Sequence, residues 1–122
     1  MSERLSLTQI AVLTAYAAGM AGGQILFKVA ALRFAGDAPL AERVLGLLQN
    51  GVFVLAMVLY VGLAVAWVWI LSFTPLSRAY PFVALAFAIT PAIASLLFAE
   101  PMTVRLAIGI AVILCGLILV AG

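Results

Sequence analysis

The stretch GVFVLAMVLYVGLAVAWVWIL, residues 51–71, holds no Asp, Glu, Lys or Arg, and its apolar side chains leave no polar face. A helix that is apolar all round has nothing to offer water, so it belongs in a large core or in lipid. A spanning helix needs roughly 20 predominantly apolar residues, which this stretch supplies. Working outward, the formal charges also avoid the windows from Leu5 to Phe27, from Ala79 to Ala99 and from Leu106 to Gly122. Each window accommodates one spanning helix, and none has a break convincing enough for two. The pattern predicts spans at about 8–32, 51–71, 76–98 and 103–120, joined by short polar connections. The expected fold is an all-α integral membrane bundle of four transmembrane helices, with residues 1–122 as one membrane domain.

Composition agrees. Of the 122 residues, 68% are hydrophobic and 8% are charged, and mean hydropathy is +1.36. Soluble domains are about 45–50% apolar, so this chain cannot cover its surface with polar groups in water. The net charge of +2 comes without a basic cluster and excludes a nucleic-acid partner. Cys115 is alone, so no internal disulfide forms. With no histidine and one cysteine, no metal site is expected. Ser72, Ser77 and Ser95 have no base to activate them, and no phosphate-cradling glycine loop occurs. These absences predict neither catalysis nor a cofactor. Arg4, an apolar stretch and Ala15-Tyr16-Ala17 loosely resemble a cleavable signal. However, the apolar run continues to Phe27, past a signal core of about 7–15 residues. An uncleaved first helix is expected.

Gly19 and Gly23 give the first span small-xxx-small spacing, which lets helix backbones approach closely in lipid. Gln24 and Lys28, four apart, lie on or near the same face. Gly36-Asp37-Ala38-Pro39 is a turn signal. Residues 40–48 then form a short interfacial helix with Glu42 and Arg43 toward water. Trp67 and Trp69 suit the membrane–water interface. Pro75 starts the third span, and Pro81 and Pro91 each remove a backbone hydrogen bond within it. Gly109 and Gly116 make one small-residue stripe, a candidate packing or dimer seam. Arg4 and Arg78 fall on one side of the membrane, and Lys28, Arg33, Arg43 and Arg105 on the other. The bias weakly favours the latter side as cytoplasmic.

Several motifs now meet. The first span carries Gly22-Gly23-Gln24-Ile25-Leu26-Phe27-Lys28. The third opens with Thr74-Pro75-Leu76-Ser77-Arg78-Ala79-Tyr80-Pro81 and closes with Phe98-Ala99-Glu100-Pro101, and the fourth has Gly109 and Gly116. In order and spacing the chain resembles the four-helix branch of the drug/metabolite transporter superfamily, also called EamA-like or small multidrug resistance-like. Within it, the chain is most similar to the small subunits proposed to flip 4-amino-4-deoxy-L-arabinose-phosphoundecaprenol. They share the Gly-Gln-…-Lys pattern, the Ala-Tyr-Pro and the Glu-Pro. The resemblance departs from the multidrug and guanidinium exporters. Their membrane-embedded glutamate is matched here by Met20, and no tryptophan follows Tyr80. A buried carboxylate is what would hold an organic cation in a low-dielectric cavity.

The polar residues near the spans each admit two readings. Lys28 either snorkels and pairs with Glu100 at one interface or binds a lipid phosphate. Arg78, on the opposite face, either anchors the third span at the headgroups or grips phosphate with its planar fork. Gln24 either hydrogen-bonds across helices or touches a sugar, and Tyr80 either packs or contacts substrate. The resemblance implies a transporter or flippase of a polyprenyl-phosphate-linked sugar, or a related anionic amphiphile, in a bacterial inner membrane. Gln24, Lys28, Arg78 and Tyr80 would then face the substrate. A homodimer, or a heterodimer with a similar small subunit, is expected, because one protomer encloses too little. An organic-cation exporter of the same fold and a non-transporting accessory subunit are the alternatives.

Overall fold

In the computed structural model, which describes residues 5–121, the first helix begins where Ser6 and Gln9 cap one another. Ser6 Oγ accepts from Gln9 N at 3.1 Å, and Gln9 Oε1 accepts from Ser6 N at 2.7 Å. Two donors that a helix start leaves unpaired are thereby satisfied. Helix α1 runs from Leu7 to Phe34. A short helix α2, Leu40–Leu48, follows the Gly36 turn. Asn50 then caps α3, Gly51–Leu71, its Oδ1 accepting from Val52 N at 2.8 Å and from Phe53 N at 3.4 Å.

The third span is not one smooth helix. A single turn α4, Leu76–Ala79, tightens into a 3-10 turn at Tyr80–Val83, and α5 continues from Ala84 to Phe98. Pro81 lies in the tight turn, where its missing N–H would otherwise break an α-helical ladder. Pro91 is inside α5. Ala99 ends that helix in the left-handed conformation, φ +53°, and turns the chain into Glu100-Pro101. Helix α6 runs from Val104 to Ala121, with Thr103 Oγ1 accepting from Leu106 N at 3.1 Å.

Among the described residues there is no strand and 85% are helical. Four segments are long and apolar enough to cross a membrane: Leu7–Phe34, Gly51–Leu71, Leu76–Phe98 and Val104–Ala121. These agree with the expected spans to within two residues at either end. Arg4, which entered the charge bias, lies outside the described residues.

Helix α1 is the hub, packing along α3 and α5, while α6 leans mainly on α5. The buried positions explain how. Leu13, Ala17 and Ala21 recur every fourth residue on α1, and Ala56, Leu63 and Ile70 every seventh on α3. Small residues dominate, as expected where packing replaces the hydrophobic effect as the driving force. Gly19 and Gly23 both serve the α1–α3 contact. A Cβ on Gly19 would come within 3.1 Å of Leu63, and one on Gly23 would run into the Tyr60 ring. Gly109 and Gly116 face open space. Leu117 is the buried residue of α6, and Leu119 is 82% exposed. A bundle this apolar outside is a membrane protein.

Trp67, near the end of its span, also packs within the bundle. It is half-buried, its ring centroid 5.1 Å from that of Tyr16, against a cluster that includes Leu13, Ile70 and Phe82. Trp69 is exposed beside Phe73. Arg43, half-buried, also packs on an aromatic ring. Its guanidinium lies 5.0 Å from the centre of the Phe34 ring, where the ring face attracts the cation.

Candidate functional site

The four polar residues singled out near the spans divide between the two ends of the bundle. Gln24 and Lys28 are near the α2 end, and Arg78 and Tyr80 are at the end where α1 begins.

Lys28 Nζ is 3.2 Å from Glu100 Oε1, with each side chain 43% exposed. The left-handed Ala99 brings Glu100 back toward α1, where Lys28 reaches it. One turn deeper, Gln24 Nε2 donates to Tyr60 Oη at 2.7 Å, and Tyr60 Oη donates to the Met20 carbonyl at 3.1 Å. The Tyr60 ring stacks on Phe27 with centroids 5.1 Å apart. Sequence reading overlooked Tyr60 because it stands in an apolar run with no polar neighbour. The glycine opposite, at position 23, was the available signal.

Beside this contact, between α1 and α5, lies a cavity of about 380 Å³ lined by Met20, Gln24, Phe87, Thr90 and Pro91, with Val83 and Ala86. Met20 and Thr90 are both near the middle of their spans. The Thr90 hydroxyl oxygen is buried and has no hydrogen-bond partner. A helical threonine commonly bonds back to the carbonyl one turn earlier. Pro91 has no N–H to give the Phe87 carbonyl. Gln24 thus brings an amide to the cavity wall, Thr90 lines it with its unpaired hydroxyl oxygen buried, and no carboxylate lines it. Such polar groups at mid-span are costly unless a partner or ligand answers them.

Phe87 and Pro91 also line a second, wider groove of about 590 Å³ between α5 and α6, otherwise walled by Leu106, Gly109, Ile110 and Ile113. Thr103 and Arg105 stand at its end. The groove is apolar with one cation at its rim, which suits a hydrocarbon chain.

Arg78 and Tyr80 line neither cavity. Arg78 Nη1 donates to the Val120 carbonyl at 2.8 Å, on the last turn of α6. Tyr80, 62% exposed, meets Trp67 edge-on at 6.3 Å. At the same end Gln9 Nε2 donates to the Phe73 carbonyl at 2.9 Å and to Thr74 Oγ1 at 3.2 Å. Thr74 is buried, so Gln9 satisfies a polar group that would otherwise be stranded.

Comparison with family models, with curated proteins and with solved structures finds no match.

Proposed function

We propose that this protein is a membrane transporter of an anionic amphiphile, a polyprenyl-phosphate-linked sugar or a related lipid, across the bacterial inner membrane. The observation that carries the reading is the α1–α5 cavity, which brings together Gln24 and, at mid-span, Thr90 with its unpaired hydroxyl, and has no carboxylate in its wall. Sugar hydroxyls both donate and accept, and they match the Gln24 amide and, once Thr90 is uncovered, its hydroxyl. An organic cation needs a carboxylate at that depth. Met20 lines the wall where the exporters that the chain resembles carry theirs.

Lys28 is one turn above Gln24 on α1, about 6 Å along the axis. Its ammonium is held by Glu100. A phosphate that displaces Glu100 gains the same cation, so the pair acts as an exchangeable latch one turn beyond Gln24. The chain of the amphiphile lies in the α5–α6 groove across Pro91. The break at Pro81 and the proline in α5 let this span bend while the headgroup passes. Beyond the α5–α6 groove, the exposed α6, with Gly116 open, offers the seam for a second copy or a similar small subunit.

The test is reconstitution of the purified chain in liposomes with a fluorescent polyprenyl-phosphate sugar in one leaflet. Gln24→Leu, Thr90→Val and Lys28→Ala should each slow its crossing. Equal rates in native and variant vesicles overturn the reading. Crossing that requires a co-purified partner chain reassigns the protein as one half of a heterodimer.

A further inference from the structure

A third cavity lies away from the transport path, at the junction of α1, α2 and α3. It measures about 330 Å³, and its wall includes Arg33, Glu42, Arg43 and Asn50. Among the described residues neither arginine has a carboxylate within ion-pair distance. Arg43 Nε is buried and has no hydrogen-bond partner. The Phe34 ring holds the Arg43 guanidinium by its face, which leaves the two terminal Nη groups in the guanidinium plane to a ligand. Asn50 spends its oxygen on the α3 cap, so its NH₂ remains a donor. The cavity is thus lined by two arginines and an amide with one carboxylate, Glu42.

Helix α2 sets the depth of this cavity. Leu40, Val44, Leu45 and Leu48 form one exposed apolar face, from 39% to 62% accessible. A short helix with such a face lies in the membrane interface, its apolar side in the acyl boundary. The cavity is therefore at headgroup level. The chemistry it fits is a phosphate ester with an adjacent primary ammonium, the phosphate on the arginines and the ammonium on Glu42.

We propose that this cavity is a binding site for a membrane phospholipid with an ethanolamine-type headgroup, its phosphate held by Arg33 and Arg43 and its ammonium by Glu42. The acyl chains run beside the apolar face of α2. The site is independent of the transport reading and shares no residue with the α1–α5 cavity.

The full chain in neutral detergent is mixed with dioleoyl-phosphatidylethanolamine or dioleoyl-phosphatidylcholine. The fraction retaining one lipid is read by native mass spectrometry, with helix content checked by circular dichroism. The native chain should prefer the ethanolamine lipid, because a quaternary ammonium has no N–H for Glu42. Arg43→Gln and Arg33→Gln should each lower retention about tenfold, as for the loss of a charge-assisted hydrogen bond. Glu42→Gln should level the two lipids. Should Arg43→Gln lose helix, Arg33→Gln and Arg43→Lys carry the test. Unchanged retention in the folded arginine variants, or equal retention of both lipids by the native chain, overturns the proposal. Displacement of the lipid by excess inorganic phosphate also overturns it, since the site would then take a soluble anion.

Discussion

Gln24 donates to the hydroxyl of Tyr60, and the same hydroxyl donates to the Met20 carbonyl, so one tyrosine ties two turns of α1 to α3. The bonds cost little entropy, because the ring is already fixed by Phe27 and by the flat surface at Gly23. Interhelical hydrogen bonds in membranes are worth about 0.6 kcal/mol on average and up to about 1.7. Tyr60→Phe keeps the ring and removes both bonds. It should lower stability by about 1 kcal/mol, measured by unfolding in mixed detergent–SDS micelles. No shift in the midpoint would mean that the hydroxyl is solvated equally well without α1.

The neighbouring glycines should respond with opposite signs. A Cβ at Gly23 collides with the Tyr60 ring, whereas one at Gly22 meets nothing within 4 Å. Gly23→Ala should therefore cost about 1–3 kcal/mol as overpacking. Gly22→Ala should gain a few tenths or more, because alanine is up to about 1 kcal/mol better than glycine inside a helix. Combining Gly23→Ala with Tyr60→Leu should recover part of the loss, as contacting residues are not additive. The same micelle unfolding reads all three. Equal effects at positions 22 and 23 would remove Tyr60 from the close approach.

The spans were legible because charge is excluded from lipid, and the charges of this chain mark their ends. Residues 40–48 were legible for a related reason, a turn signal followed by an amphipathic stretch. The break at Tyr80–Val83 was half legible. Pro81 announces a lost hydrogen bond, but not that the chain tightens rather than kinks. Lys28 and Glu100 share an end of the bundle by topology alone, and the pair follows once α1 and α5 pack together. Tyr60 and Thr90 were hidden. Each is a single polar atom in an apolar run, and its role depends on which helix lies opposite. The Arg43 contact with Phe34 was hidden too, because amphipathic reasoning assigns charges to water and takes no account of a nearby aromatic face.

The Lys28–Glu100 pair should be worth little in the native chain and much when violated. Both side chains are 43% exposed, and such pairs contribute about 0–1 kcal/mol. Glu100→Gln should therefore barely move the unfolding midpoint. Lys28→Glu instead places two carboxylates side by side, and Glu100→Lys two ammonium groups. Each reversal should destabilise clearly, and the double swap should return most of the loss. A double swap no more stable than the worse single variant would show that the two side chains do not meet.

Arg78 is held at the C-terminus of α6 by its bond to the Val120 carbonyl. The last carbonyls of a helix have no partner within it, and their dipole end attracts a cation. Helix α6 otherwise buries only Leu117 among its described residues, so this contact matters for holding its end against the 3-10 turn. Arg78→Gln should fray the last turn, seen as faster amide hydrogen exchange over residues 118–121, and Arg78→Lys should restore part of the protection. The measurement also separates two roles. An arginine that grips a substrate phosphate would slow lipid crossing when replaced and leave exchange in α6 unchanged. An arginine that closes the helix end changes exchange first, and crossing follows only as far as α6 moves. Fast exchange with normal crossing assigns Arg78 to the bundle, and slow crossing with normal exchange assigns it to the substrate.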